Sequence, residues 1–103
     1  MQSITPADLE QHLTEGGAPF LLDVREVEEL ADGAIAGSVN IPMGGVEERL
    51  RELPRDRDIV VICHLGARSA YVTKQLNALG FDRAMNLRGG MEAWLARPPR
   101  PNG

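Results

Sequence analysis

Cysteine is almost absent from this chain: Cys63 is the single one in 103 residues. One thiol cannot form an internal disulfide or a Cys-x-x-Cys redox pair, so any chemistry at Cys63 is done alone. Long apolar runs are also missing, and none approaches the ~20 residues that a membrane span needs. Positive charge is not in excess. The formal net charge is −4, which argues against nucleic acid as the main partner, because phosphate neutralisation needs a basic face. The loose group Arg49, Arg51, Arg55 and Arg57 is interleaved with Glu47, Glu48, Glu52, Asp56 and Asp58 and reads as a solvated mixed-charge surface. The start, Met1-Gln2-Ser3-Ile4-Thr5-Pro6, has neither the basic region nor the apolar stretch of a signal peptide. An unpartnered cysteine suits a reducing compartment. The expected location is the cytoplasm, with no membrane association.

What remains is the composition of an ordinary soluble domain, 43% hydrophobic and 25% charged. Residues 1–96 read as one domain. The tail Arg97-Pro98-Pro99-Arg100-Pro101-Asn102-Gly103 carries three prolines, which predict an extended, flexible segment over 97–103. Thr5-Pro6-Ala7-Asp8 is a helix start, with Thr5 as cap, Pro6 in the first position and Asp8 at the positive end. That helix is expected to run to about Glu15 and stop at Gly16-Gly17. Phe20 to Val24 reads as a short buried strand, Glu26 to Ala31 as one or two helical turns ended by Gly33, and Ser38 to Ile41 as a strand stopped by Pro42. Val46, Leu50 and Leu53 have helical spacing.

Ile59-Val60-Val61-Ile62 is β-branched throughout without alternation, the pattern of a central strand covered on both faces. A helix from about Ala67 to Leu79 follows, capped by Gly80, then a strand near Arg83 to Leu87. A short helix with Met91, Trp94 and Leu95 on its apolar face comes last. Strands alternating with helices predict an α/β fold: a small open, mainly parallel sheet with helices on both faces. Ligands in such folds bind beyond the carboxyl ends of the strands. Asp23 and Cys63 both fall at that edge.

The loop Cys63-His64-Leu65-Gly66-Ala67-Arg68-Ser69 has the parts of an anion cradle. Gly66 tolerates a positive φ, so successive N–H groups can turn inward as a nest. The helix beginning near Ala67 adds its N-terminal N–H groups and dipole. Arg68 brings a permanent charge in fork geometry, and Ser69 can accept from the first turn. A lone cysteine is more often a small buried hydrophobe than a nucleophile. Its place at a strand end, before Gly, Arg and a helix, reverses that expectation, because this setting favours the reactive thiolate. His64 is adjacent to Cys63, and adjacent side chains seldom aim at each other. It is expected to line the mouth of the loop rather than act as a base.

Cys63-x-x-Gly66-x-Arg68-Ser69 after an apolar strand resembles the active-site loop of rhodanese-like sulfurtransferase domains. Leu22-Asp23-Val24-Arg25-Glu26 is similar to the family's Asp-Val-Arg motif. The segment Gly33 to Pro42 is similar to its Gly-His-Ile-x-Gly-Ala-x-Asn-Ile-Pro pattern, and Asn86 to Trp94 to its closing Leu-x-Gly-Gly-x-x-x-Trp segment. The resemblance implies a thiosulfate sulfurtransferase (rhodanese)-like fold and activity, with no cofactor and no metal. Cys63 takes a sulfane sulfur from thiosulfate or a persulfide donor, carries it as a persulfide and passes it to cyanide or a thiol, including a thiol protein. Arg68 then curves the loop or neutralises the bound anion, while His64, Leu65, Gly66, Ala67 and Ser69 surround the substrate. Asp23 and Arg25 buttress the loop. Two positions depart from the pattern, Ala34 for histidine and Ser38 for alanine. Neither is expected to abolish activity.

Two other readings stay open. Cysteine phosphatases use Cys-x5-Arg, whereas four residues separate Cys63 from Arg68 here, a narrower ring that rhodanese-like arsenate reductases share. Rhodanese-like domains also occur as non-catalytic binding modules, which usually lack the cysteine.

Overall fold

Each residue of Ile59-Val60-Val61-Ile62 is buried, and successive side chains enter different cores. Ile59 and Val61 face one layer, Val60 and Ile62 the other, as the period of two in a strand requires. The structure, a computed structural model, describes residues 1–98. Five strands form one sheet: β1 (Gln2–Ile4), β2 (Phe20–Asp23), β3 (Val39–Asn40), β4 (Ile59–Ile62) and β5 (Ala84–Leu87). Their order is β1-β5-β4-β2-β3, and every pairing is parallel. Helices α1 (Pro6–Thr14), α2 (Ala67–Ala78) and α3 (Gly90–Leu95) complete the α/β fold that the sequence predicts.

On one face Leu22, Val61 and Cys63 pack with Val72 and Leu76 of α2, closed by Val46, Leu53 and Phe81. On the other, Leu21, Val60, Ile62 and Leu87 pack with Leu9 of α1 and with Met91 and Trp94 of α3. A fully buried aliphatic side chain contributes about 1.5–3 kcal/mol, against about 0–1 kcal/mol for an exposed ion pair. The two apolar layers therefore hold the sheet, and surface pairs such as Arg49–Glu52 add little.

The start of α1 follows the sequence closely: Thr5 Oγ1 accepts the Asp8 N–H at 3.1 Å, and Pro6 opens the helix. Three features differ from expectation. Gln2–Ile4 is an edge strand against β5, too short and too exposed to show a pattern. Val27–Asp32, Met43–Gly45 and Glu47–Glu52 form tight 3-10 turns rather than α-helix, and Arg49 breaks the last of them with φ −120°. Arg97, assigned by its sequence to the tail, folds back onto the domain. Its guanidinium lies 3.7 Å over the Trp94 ring and 2.7 Å from Glu10. Residues 99–103 of the predicted tail lie outside the described residues. Among the described residues no helix is long and apolar enough to cross a membrane.

For the site, register matters most. Asp23 of β2 pairs with Ile62 of β4, so Asp23 and Cys63 leave the same carboxyl edge side by side.

Candidate active site

Cys63 directly follows β4 with its side chain almost fully buried, and the loop turns back over its sulfur. Gly66 makes that turn with φ +105°, and a Cβ there would come within 3.3 Å of the Gly89 nitrogen. Two backbone groups then point at the sulfur: the Gly66 N–H at 3.0 Å and the Ser69 N–H at 3.3 Å. Ser69 Oγ lies 3.2 Å away on the same side. Ala67, Arg68 and Ser69 form the first turn of α2, where N–H groups have no acceptor within the helix. Two backbone donors at a helix start therefore converge on the sulfur.

The loop is clamped from behind by α3. The Met91 N–H donates to the Cys63 carbonyl at 2.8 Å and the Glu92 N–H to the His64 carbonyl at 3.0 Å. This approach requires glycine at position 90. A Cβ there would stand 2.5 Å from both carbonyl oxygens, and φ is +61°. The Gly89-Gly90 pair of the closing motif is therefore part of the support of the Cys63 loop.

Arg68 is engaged by an acid rather than hydrogen-bonded to the sulfur. Its two terminal nitrogens bond the Glu29 carboxylate at 2.6 and 2.7 Å. Those bonds, with the Glu26 N–H next in weight, hold the Glu29 carboxyl well below its ordinary value of 4.5, at about 2. Glu29 is positioned in turn by Arg25. The buried Arg25 guanidinium grips Asp23 through Nε and Nη2, at 2.8 Å for the closest bond, and donates to the carbonyls of Glu29 and Gly33. Hydrogen bonding to the Asp23 carboxylate raises Arg25 further above its already high range. Asn40 closes the segment by donating to the carbonyls of Asp23 and Arg25. Among the described residues the Asp23 and Arg25 side chains make no hydrogen bond to the loop; they fix the turn that carries Glu29.

A cleft of about 380 Å³ opens beside the loop, lined by Arg25, Glu29, Asp32, His64, Glu92 and Leu95 among others. His64, Leu65 and Ala67 are exposed, and Leu65 stands 58% accessible at the mouth. Ala34, where the family pattern has histidine, is exposed.

Two participants carried no assigned role in the sequence. Glu29 gives a faint signal, an acid three residues after Glu26 at the start of a turn, and the structure makes it the partner of Arg68. Asn86 accepts a short hydrogen bond from Ser69 Oγ, and nothing local in Asn86-Leu87-Arg88 announces it.

Known proteins resemble this chain along most of its length. Residues 5–97 match the family model of the rhodanese-like domain. A sulfurtransferase of Allochromatium vinosum is 37% identical over 94 residues, covering 91% of this chain and 88% of that protein. The human thiosulfate:glutathione sulfurtransferase is 31% identical over 99 residues, covering 82% of this chain and 86% of its own length. The crystal structure of a rhodanese-related protein from Thermoplasma volcanium superimposes with a TM-score of 0.85 at 38% identity, covering 95% of this chain and 96% of that one. Parallel sheet, cysteine loop and sequence match together show that the chain belongs to the rhodanese-like domain family.

Proposed function

We propose that this protein is a sulfurtransferase in which Cys63 accepts a sulfane sulfur and passes it on. The observation that carries the reading is the convergence of the Gly66 and Ser69 N–H groups, at the start of α2, on a cysteine that directly follows a parallel strand. The names of its sulfurtransferase relatives support the same class of transfer. The Cys63 thiolate attacks the outer sulfur of the donor, forming a new S–S bond. With thiosulfate the old S–S bond breaks and sulfite leaves with its electron pair. A thiolate or cyanide then attacks the outer sulfur of the Cys63 persulfide, and the Cys63 thiolate departs, completing a ping-pong cycle.

Outside the helix interior, the N–H groups of Leu65, Ala67 and Arg68 have no acceptor among the described residues, which leaves them for the outer sulfur. The Arg68–Glu29 pair supports the role of Arg68 as a brace for the loop. That pairing also speaks against a phosphatase cradle, in which the arginine must face the bound tetrahedral anion. Because the one arginine on the loop is neutralised, a dianionic donor gains little there. A protein or low-molecular-weight persulfide is the better natural donor, and thiosulfate is the model substrate. A free Cys63 thiol fits a reducing compartment, and we place the reaction in the cytoplasm.

Steady-state kinetics with thiosulfate and cyanide test the cycle. Parallel double-reciprocal lines and a thiosulfate Michaelis constant of millimolar or above are expected. Converging lines would exclude a covalent carrier, and a constant well below millimolar would remove the preference for a persulfide donor.

A further inference from the structure

Ser69 Oγ stands between two groups that compete for its single proton. Cys63 Sγ lies 3.2 Å away on one side, and on the other the hydroxyl donates to the side-chain oxygen of Asn86. The amide cannot simply be reversed, because Asn86 Nδ2 donates to the Gly66 carbonyl at 3.4 Å and so turns Oδ1 toward Ser69. Both residues are buried, which leaves no solvent to replace either bond. A hydroxyl has one proton to give and two lone pairs to offer. With that proton committed to Asn86, Ser69 meets Cys63 as an acceptor and holds an S–H. A bare thiolate at the same place must draw the proton across and leave a buried amide oxygen without a donor, an unfavourable state.

We infer that Asn86 is a positioning residue that acts through Ser69 to disfavour the bare Cys63 thiolate relative to the sulfur-loaded form. The inference rests on the reading of Cys63 as the sulfur-carrying nucleophile and deepens it. In the persulfide the negative charge lies on the outer sulfur, toward the loop N–H groups. Sγ is then a neutral divalent sulfur and a weak acceptor, so Ser69 keeps its bond to Asn86. No atom is gained or lost in the exchange: one proton turns between two acceptors while Cys63 loads and unloads. The other groups around the loop are the same in wild type and variant, so the comparison cancels them. They are the Gly66 and Ser69 N–H donors, Arg68 with Glu29, His64 beside the cysteine, Glu92 of α3, and the Asp23–Arg25 pair. None of the charged side chains bonds Ser69 Oγ or the Asn86 side chain.

The test is the pH–rate profile for alkylation of sulfur-free Cys63 by iodoacetamide, which requires no sulfur donor and so stands apart from the transfer reaction. Asn86→Leu keeps the branched shape of the side chain and removes the competing acceptor. It should shift the profile to lower pH, raising the rate at the acidic end about two- to tenfold relative to its own plateau, the range of one net hydrogen bond. In a Ser69→Ala background the same substitution should have no effect on the profile. An unmoved profile, or an equal shift with and without the Ser69 hydroxyl, would overturn the inference. A second readout avoids any change at Asn86. The infrared S–H stretch of Cys63 near pH 6 should rise in frequency in Ser69→Ala, because the thiol loses its acceptor. A missing band in the wild type, or one that does not move, would equally overturn it.

Discussion

Two segments leave neighbouring strand ends and meet at one cleft, yet they are held by opposite means. From Cys63 to Ser69 the binding is neutral: backbone N–H groups and one hydroxyl converge on the sulfur, and α3 pins the carbonyls behind it. From Asp23 to Gly33 it is ionic: Asp23 grips Arg25, Arg25 ties down the carbonyls of Glu29 and Gly33, and Glu29 grips Arg68. Charges satisfied within their own pairs can brace a loop without presenting net charge to its occupant. The sulfur site stays governed by oriented dipoles, which suit a single soft anion. The ionic half braces the cleft, and the neutral half is where the proposed transfer takes place.

Breaking the ionic half at its root should have the largest effect. Arg25→Met leaves the buried Asp23 carboxylate unpaired, which costs about 3–5 kcal/mol. Thermal unfolding should shift down by roughly 12 °C or more, and a melting point within a few degrees of wild type would mean that Asp23 is not held as described. Breaking the neutral half at its clamp comes next. Gly90→Ala places a Cβ 2.5 Å from the Cys63 and His64 carbonyls at a positive φ, at a cost of about 3 kcal/mol. Activity should fall with stability, and an unaffected variant would show that α3 does not clamp the loop.

The smallest effect separates bracing from stability. The Glu29–Arg68 pair is about one-third exposed at each side chain, so Glu29→Gln should cost no more than about 1 kcal/mol near neutral pH. Its pH dependence has a definite sign. Glu29 titrates lower in the folded protein, at about 2, than its ordinary 4.5, so the pair's contribution is fully present above about pH 4.5. It fades as pH falls toward 2. The difference in melting temperature between wild type and Glu29→Gln should therefore be flat from pH 9 to 5 and shrink in acid. A difference that instead grows in acid would contradict the pairing.

The same contrast explains what was legible in the sequence. The neutral half could be read because its parts are local: an apolar strand, Cys63, Gly66 and a helix start lie within one short segment. The sheet could be read too, since Ile59 to Ile62 is β-branched and buried on both faces. The partners that cross the fold could not. Glu29 meets Arg68 across 39 positions and Ser69 meets Asn86 across 17, distances that only the strand order closes. Gln2–Ile4 escaped because a three-residue edge strand has no periodicity to detect, and its pairing with β5 is created by the fold.

A transferable sulfur held on Cys63 by the surrounding N–H dipoles would add to the mass of the protein. Intact mass after exposure to thiosulfate or a low-molecular-weight persulfide tests for it most directly, with Cys63→Ser alongside. The wild type should gain one sulfur atom that cyanide removes, and the variant should gain none. A wild type that takes up no sulfur from either donor, or a variant that loads as well as the wild type, would contradict the account.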